Sequence, residues 1–358
     1  MRPSPFPCAA LLLACAACSE PRYPPDPSPL DAGPWENVTT NLAGAPSECG
    51  NLSFLASKPD EDLVLVGIAL HGVWASRDGA PEWTHLGQGA SSTEITNRTS
   101  SFVFDPVHSG TFWQSGLYHF PGVFKTVDDG VTFTALGDAT QNDLVSVDLS
   151  DPQRRTLLAS GHEQPAKLLR STDGGQTWTQ IGQLVPEGVG NSSSPLVLGP
   201  NTYLLGTWGS DTSGIFRTTD GGQTWARVAS TGVIGAPLVM ADGTLYWLLR
   251  DRKGIIRSKD QGVSWSDPLG VAVGLNASLI ALPEGRLASM GPTRVMVSKD
   301  GGLSWVPVGA KPPIPPDGLA YAKARRAFYV WRATCTFIDD SVPADSIQKM
   351  DFDYFNLQ

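Results

Sequence analysis

STDGGQTW, residues 171–178, recurs as TTDGGQTW at 218–225, SKDQGVSW at 258–265 and SKDGGLSW at 298–305. TVDDGVTF at 126–133 fits with Phe in place of Trp, and SRDGAPEW at 76–83 is a decayed copy that keeps Ser76, Asp78 and Trp83. Six copies starting at 76, 126, 171, 218, 258 and 298 fall at the period of propellers and solenoids, not of independent domains. Each copy reads as a hairpin turn: the Asp accepts from turn N–H groups, the Gly takes a backbone conformation costly for other residues, and the hydroxyls tie the two arms together. The closing Trp is expected to pack between neighbouring sheets.

The pattern Ser/Thr-x-Asp-x-Gly-x-Thr/Ser-Trp closely resembles the Asp-box (BNR) repeat of sialidases, xyloglucanases, sortilin-type receptors and photosystem II assembly propellers. Between boxes the chain reads as strands in a constant order. In 144–181, strand A is expected at 144–149, B at 156–160, C at 167–171 and D from Thr177. The same order restarts near 52, 101, 144, 195, 237, 278 and 318, so the fold class is all-β, a single seven-bladed β-propeller. The last blade offers LAYAKA, RAFYVW and SIQKMDF but no fourth strand, whereas WENVTT at 35–40 is an orphan with Trp35 where a box Trp would fall. Residues 35–40 are therefore expected to close the last blade and cover its open edge.

Residues 1–18, MRPSPFPCAALLLACAAC, read as a signal peptide with one positive charge, an apolar run and small residues before a cysteine. They resemble a lipoprotein signal, with Cys18 favoured as the lipidated residue and Cys15 as the competing register. Residues 19–34 are a Pro-rich tether unsuited to a packed core, and residues 35–358 are the propeller. Cys49 and Cys335 remain in the exported domain; they are expected to meet as a disulfide clasp on one face, the alternative being two unrelated thiols. The formal charge is −9 with no cluster of Lys or Arg, which argues against nucleic acid as a partner. The expected setting is the cell envelope, outer membrane or surface, with membrane contact only through the lipid anchor and the chain a monomer.

The box carboxylates Asp78, Asp128, Asp173, Asp220, Asp260 and Asp300 lie on C-to-D hairpins around one rim and are read as structural. Families of this kind, by resemblance, place their working site on the opposite face, built from the B-to-C and D-to-A connections. Its candidate residues are Trp113, Tyr118 and His119 of blade 2, His162 and Glu163 of blade 3, and Trp208 and Asp211 of blade 4. Arg250 and Asp251 of blade 5, Arg294 of blade 6 and Trp331 of blade 7 complete the set, with Glu94 and Arg98 before blade 2. No histidine pair has HxH or HExxH spacing, so no metal or other cofactor is expected.

The Phe/Tyr-Arg-Ile-Pro motif of sialidases is absent. A xyloglucanase-like reading needs two acids about 5 to 9.5 Å apart, for which Asp211, Asp251, Glu163 and Glu94 are available. The expected function is a non-catalytic envelope module that binds or scaffolds a protein or glycan through this face. A glycoside hydrolase, sialidase-like or xyloglucanase-like, is the alternative.

Overall fold

The computed structural model describes residues 29–44, 52–186, 192–208, 213–251, 254–270, 278–333 and 346–354. Seven antiparallel sheets form the seven-bladed propeller. Blade 1 runs Leu52–Ser57, Leu63–Ile68, Val73–Arg77 and Thr84–His85 as strands A to D. Blade 2 runs Arg98–Phe104, Phe112–Leu117, Val123–Thr126 and Thr134–Ala135. Blade 3 is Asn142–Val147, Leu157–Gly161, Leu168–Ser171 and Thr179–Gln180, within two residues of expectation at every start. Blade 4 is Ser192–Gly199, Thr202–Trp208, Gly214–Thr218 and Ala226–Ala229.

Blade 5 has three strands, Val233–Val239, Leu245–Leu249 and Ile255–Ser258. Its strand D is reduced to a bridge in which Ile255 and Leu269 exchange both backbone hydrogen bonds. Blade 6 is Leu279–Ala281, Leu287–Met290, Val295–Ser298 and Val306–Val308. Blade 7 takes strands A to C from Gly318–Ala322, Ala327–Arg332 and Ser346–Asp351 and strand D from Trp35–Asn37. The N-terminal strand pairs antiparallel with the last one, Trp35 opposite Met350 and Asn37 opposite Gln348, so it closes the last blade as the sequence predicts. Cys18, Cys49 and Cys335 lie outside the described residues.

Strand B is buried along its whole length in blades 1, 3, 5, 6 and 7. It has a ladder partner on each side and a neighbouring blade against each face, which is why LVLVGI and AFYVWR are almost unbroken apolar runs. The core is accordingly distributed as seven clusters, one per seam. Leu63 and Leu65 of blade 1 meet Phe112, Phe124 and Phe133 of blade 2. Around the ring the series ends where Tyr329 and Ile347 of blade 7 meet Leu55, Val64 and Trp83 of blade 1. The last cluster makes the stack a closed circle.

Each box Trp packs in the seam with the preceding blade, as expected. Trp225 and Trp305 turn Nε1 to Gly222 O and Gly302 O of their own boxes, and others bond through Nε1 across the seam. Trp178 Nε1 donates to Leu136 O just past strand D of blade 2, at 2.9 Å. Trp83 Nε1 donates to Val38 O just past the closing strand, at 3.0 Å. Trp35 Nε1 donates to Ala310 O just past strand D of blade 6, at 2.9 Å. The same bond at three seams shows that Trp35 occupies a box-Trp position in a blade that has no box of its own.

Candidate functional site

The five well-formed boxes share one hydrogen-bond scheme. In blade 3, Ser171 Oγ donates to Asp173 Oδ1 at 2.7 Å and accepts from Gly175 N at 2.8 Å, while Thr177 Oγ1 donates to Asp173 Oδ2 at 2.6 Å. Asp128, Asp220, Asp260 and Asp300 repeat it. The Thr177 hydroxyl and amide hold the Asp173 carboxyl down to about 2, and Ser264 does the same to Asp260, at about 2. In the decayed first box Ser76 Oγ instead donates to Ala80 O, and the Arg325 guanidinium of blade 7 donates to the Ser76 oxygen atoms. The carboxylates of Asp128, Asp173, Asp220, Asp260 and Asp300 are thus bonded within their own turns.

Backbone bonds sort the connections into two faces. The boxes join the A-to-B turns, as in Gly174 N to Arg155 O at 2.9 Å and Gly221 N to Asn201 O at 3.0 Å. The B-to-C turns join the D-to-A connections, as in Gly122 N to Ala139 O at 2.7 Å, His162 N to Gln141 O at 2.8 Å and Arg250 N to Gly232 O at 3.0 Å. The second set, here the turn face, carries the candidate residues.

Two candidates are corrected. Trp113 and Trp331 are 0% and 3% exposed, so neither ring is offered to a ligand. Trp113 sits in the cluster between blades 2 and 3, with the Lys125 ammonium 5.2 Å from its ring centre. Trp331 meets Phe54 edge-on at 5.6 Å across the seam of blades 7 and 1, and a Cβ on Gly318 would lie 2.1 Å from its ring. Both lie within strand B, Trp113 second in Phe112–Leu117 and Trp331 fifth in Ala327–Arg332. Arg294 is half-buried and braces its turn by donating through Nη1 to Gly309 O at 2.6 Å. Arg250 and Asp251 are exposed in the turn after strand B of blade 5. Trp208 ends strand B of blade 4, opposite Ser192, and Asp211 lies outside the described residues.

Four side chains converge at the seam of blades 2 and 3. Asp143 Oδ1 accepts from His162 Nδ1 at 2.7 Å, and the far nitrogen, Nε2, lies 3.3 Å from the Tyr118 hydroxyl and 3.9 Å from Glu163 Oε1. The Tyr118 and His162 rings meet edge to face, 5.3 Å apart at 89°. Because Asp143 accepts at Nδ1, that nitrogen carries the proton and Nε2 is the acceptor for the phenol. The Asp143 carboxylate raises the His162 pKa above its ordinary value, against burial and the nearby Arg98, with Glu163 assisting. Tyr118 and Glu163 both take left-handed backbone, at φ 68° and 51°, a conformation costing a side chain about 1–2 kcal/mol.

The support beneath this cluster is polar and buried. Gln114 Nε2 donates to Asn97 Oδ1 at 2.6 Å and to Thr99 Oγ1 at 2.9 Å, and Asn97 Nδ2 donates to Pro121 O at 3.0 Å. It pins the turn that presents Tyr118 and Phe120, which are 48% and 60% exposed. His119 between them is half-buried, its amide donating to Leu117 O. Sequence reasoning missed Asp143 and Phe120. Asp143 reads as the polar edge of strand A, and only the cross-strand partner 19 residues on reveals its role. A separate crevice of about 330 Å³ lies between blades 1 and 2, lined by His85, Gln88, Ser92, Glu94 and Phe133 among others. Burial lowers the His85 pKa, and its ring stacks on Trp74 at 4.7 Å. Among the described residues no group of three or more His, Cys, Asp or Glu is placed to hold a metal ion.

A family model described as BNR/Asp-box repeat matches residues 169–180, the blade 3 box. The blade 3 turn of this seven-bladed propeller thus matches that repeat. Among solved structures, the chain is similar to the GH74 xyloglucanase of Xanthomonas campestris at 18% identity and a TM-score of 0.56, covering 87% of this chain and 55% of that one. A structure described as YCF48 bound to D1 peptide matches at 15% identity and a TM-score of 0.54, covering 91% and 97%. A streptogramin B lyase matches at 12% identity and a TM-score of 0.57, covering 90% and 98%. The chain thus spans about half the length of the xyloglucanase, and likeness at these identities is likeness of fold. No curated protein matches the chain.

Proposed function

We propose that this Asp-box propeller is a non-catalytic binding or scaffolding module of the cell envelope that engages a protein or glycan through its turn face. The observation that carries the reading is the blade 2–3 cluster, in which exposed Tyr118 and Phe120 stand on a turn fixed by a buried amide network. Aromatic rings held rigidly at a surface bring large contact area at little entropic cost and are the usual anchors of recognition. The full propeller length of the YCF48 match supports a scaffold working as a single ring. The signal-like segment and Pro-rich tether at 1–34 support export and attachment through Cys18. Loss of labelled palmitate from the Cys18→Ser variant, but not from Cys15→Ser, is the expected check.

The competing reading is a glycoside hydrolase on the same face, favoured by the closeness of the Glu163 carboxylate to a histidine that is itself oriented by a carboxylate. The full-length protein, incubated with fluorogenic sialosides and a panel of polysaccharides, is expected to give no turnover and to co-purify an envelope partner that Tyr118→Ala releases. Turnover that falls with Glu163→Ala or Asp211→Ala overturns the binding reading.

A further inference from the structure

We infer that the Tyr118–His162–Glu163 corner of the turn face is a contact for a cationic side chain, a lysine or arginine presented by a protein partner, and that acidification releases it. The inference rests on the turn-face reading above and narrows it to one ligand chemistry.

Two kinds of group that attract cations point at one spot. The Tyr118 hydroxyl and the Glu163 carboxylate lie 3.3 and 3.9 Å from the same atom, His162 Nε2, so a phenol oxygen and a carboxylate flank a common space, with the Tyr118 ring edge to face with His162 beside it. Phe120 adds a second exposed ring from the same turn as Tyr118. An aromatic face attracts a cation through its quadrupole, more strongly when solvent is partly excluded. Glu163 is 74% exposed, free to swing onto an incoming ammonium or guanidinium group. The charged and titratable groups bearing on His162 are Asp143, Glu163, Arg98 and Tyr118, with His119 in the neighbouring turn. With His162 neutral, the two carboxylates outweigh the single guanidinium of Arg98. The formal charge of −9 on the whole chain also draws basic partners at long range.

His162 supplies the release. Neutral, it accepts from Tyr118 and leaves the corner net negative. Protonated, it places a positive charge beside the occupied position, turns Nε2 into a donor toward Tyr118 and Glu163, and engages the carboxylate the ligand would use. Both effects weaken a cation and neither affects an uncharged hydroxyl-bearing ligand in the same way. The left-handed backbone at Tyr118 and Glu163 fits a corner whose geometry is held for a purpose beyond packing.

The probe is an acetylated tri-lysine amide, with the uncharged norleucine analogue as control, titrated calorimetrically into the full-length protein at about pH 8.5 and about pH 5.5, a window that brackets ordinary histidine titration. Expected is tri-lysine binding at the higher pH that falls at least fivefold at the lower pH, and at least fivefold in Glu163→Gln and in Tyr118→Ala. His162→Gln is expected to bind with no pH dependence. If that variant does not fold, the exposed Tyr118 and Glu163 replacements still decide the matter. Equal binding of the norleucine peptide, binding that both exposed replacements leave intact, or binding no weaker at the lower pH overturns the inference. An envelope partner or glycan that Tyr118→Ala releases but Glu163→Gln and acid do not would keep the turn face as the binding surface and reject the cationic ligand.

Discussion

At the scale of single residues, the strongest electrostatic commitments of this chain are structural. Arg154 grips both oxygens of Asp105 at 2.8 Å, with the two side chains 5% and 0% exposed, and His108 adds a third contact at 3.0 Å. Burial would raise the Asp105 carboxyl, but the guanidinium, the His108 ring and two amides hold it well below the usual carboxylate range. Asp105→Ala strands a buried guanidinium, so urea unfolding should show a loss of about 3–5 kcal/mol, with Arg154→Met added in the same chain restoring part of it. The carboxyls of Asp173 and Asp260 are depressed to about 2. Their stabilising contribution is therefore present above the unfolded value of about 4 and lost as pH falls through about 2. Melting temperature is expected to hold steady from neutral pH to about 5 and then drop, less steeply in Asp173→Asn. His162 has the opposite sign: its raised value stabilises below the unfolded midpoint and is lost as pH rises through the folded one. An NMR titration should place its midpoint above the ordinary 6.5 and lower it in Asp143→Asn.

At the scale of elements, the repeat made most of the architecture readable and the same repeat explains what was not. Seven blades, their order and the closing strand follow from boxes and from apolar runs between them, because each box is a local hydrogen-bond program that needs no distant partner. The fourth strand of blade 5 was not legible: its box ends SWSDPL, and Pro268 has no amide to give a ladder, so the strand shrinks to the Leu269 bridge. Trp113 and Trp331 misled because a Trp in a strand B that leads into its B-to-C turn reads as offered to the face until the packing of the neighbouring blade shows it inside. The cluster around His162 joins two blades, since Asp143 on strand A lies 19 residues before His162 in its own blade and Tyr118 lies 44 residues before it in the preceding one, and such adjacency is invisible to local pattern. The closing strand is the element whose loss should matter most. A chain lacking residues 1–37 exposes the edge of Ser346–Asp351 and removes the Trp35 bond to Ala310. Size-exclusion chromatography should then show self-association. A chain lacking only residues 1–28 keeps both contacts and should elute with the same oligomeric state as the full chain.

At the scale of the whole molecule, the two faces differ: one rim is tied up in repeated turns, while the other carries the blade-to-blade variation. The prediction at this scale is an asymmetry. Replacing exposed box residues such as Val131, Val263 and Leu303, which are 58%, 54% and 60% exposed, should leave partner capture unchanged, whereas Tyr118→Ala should abolish it. The closing strand has one further consequence, for biosynthesis. Trp35 finds its place opposite Met350, so the first strand made waits for the last, roughly 15–60 s at a synthesis rate of about 5–20 residues per second. For that interval the nascent N-terminus is an unpaired strand beside a growing stack of blades. WENVTT, with a single aromatic residue and a charge, is a segment that can wait in water without seeking another partner.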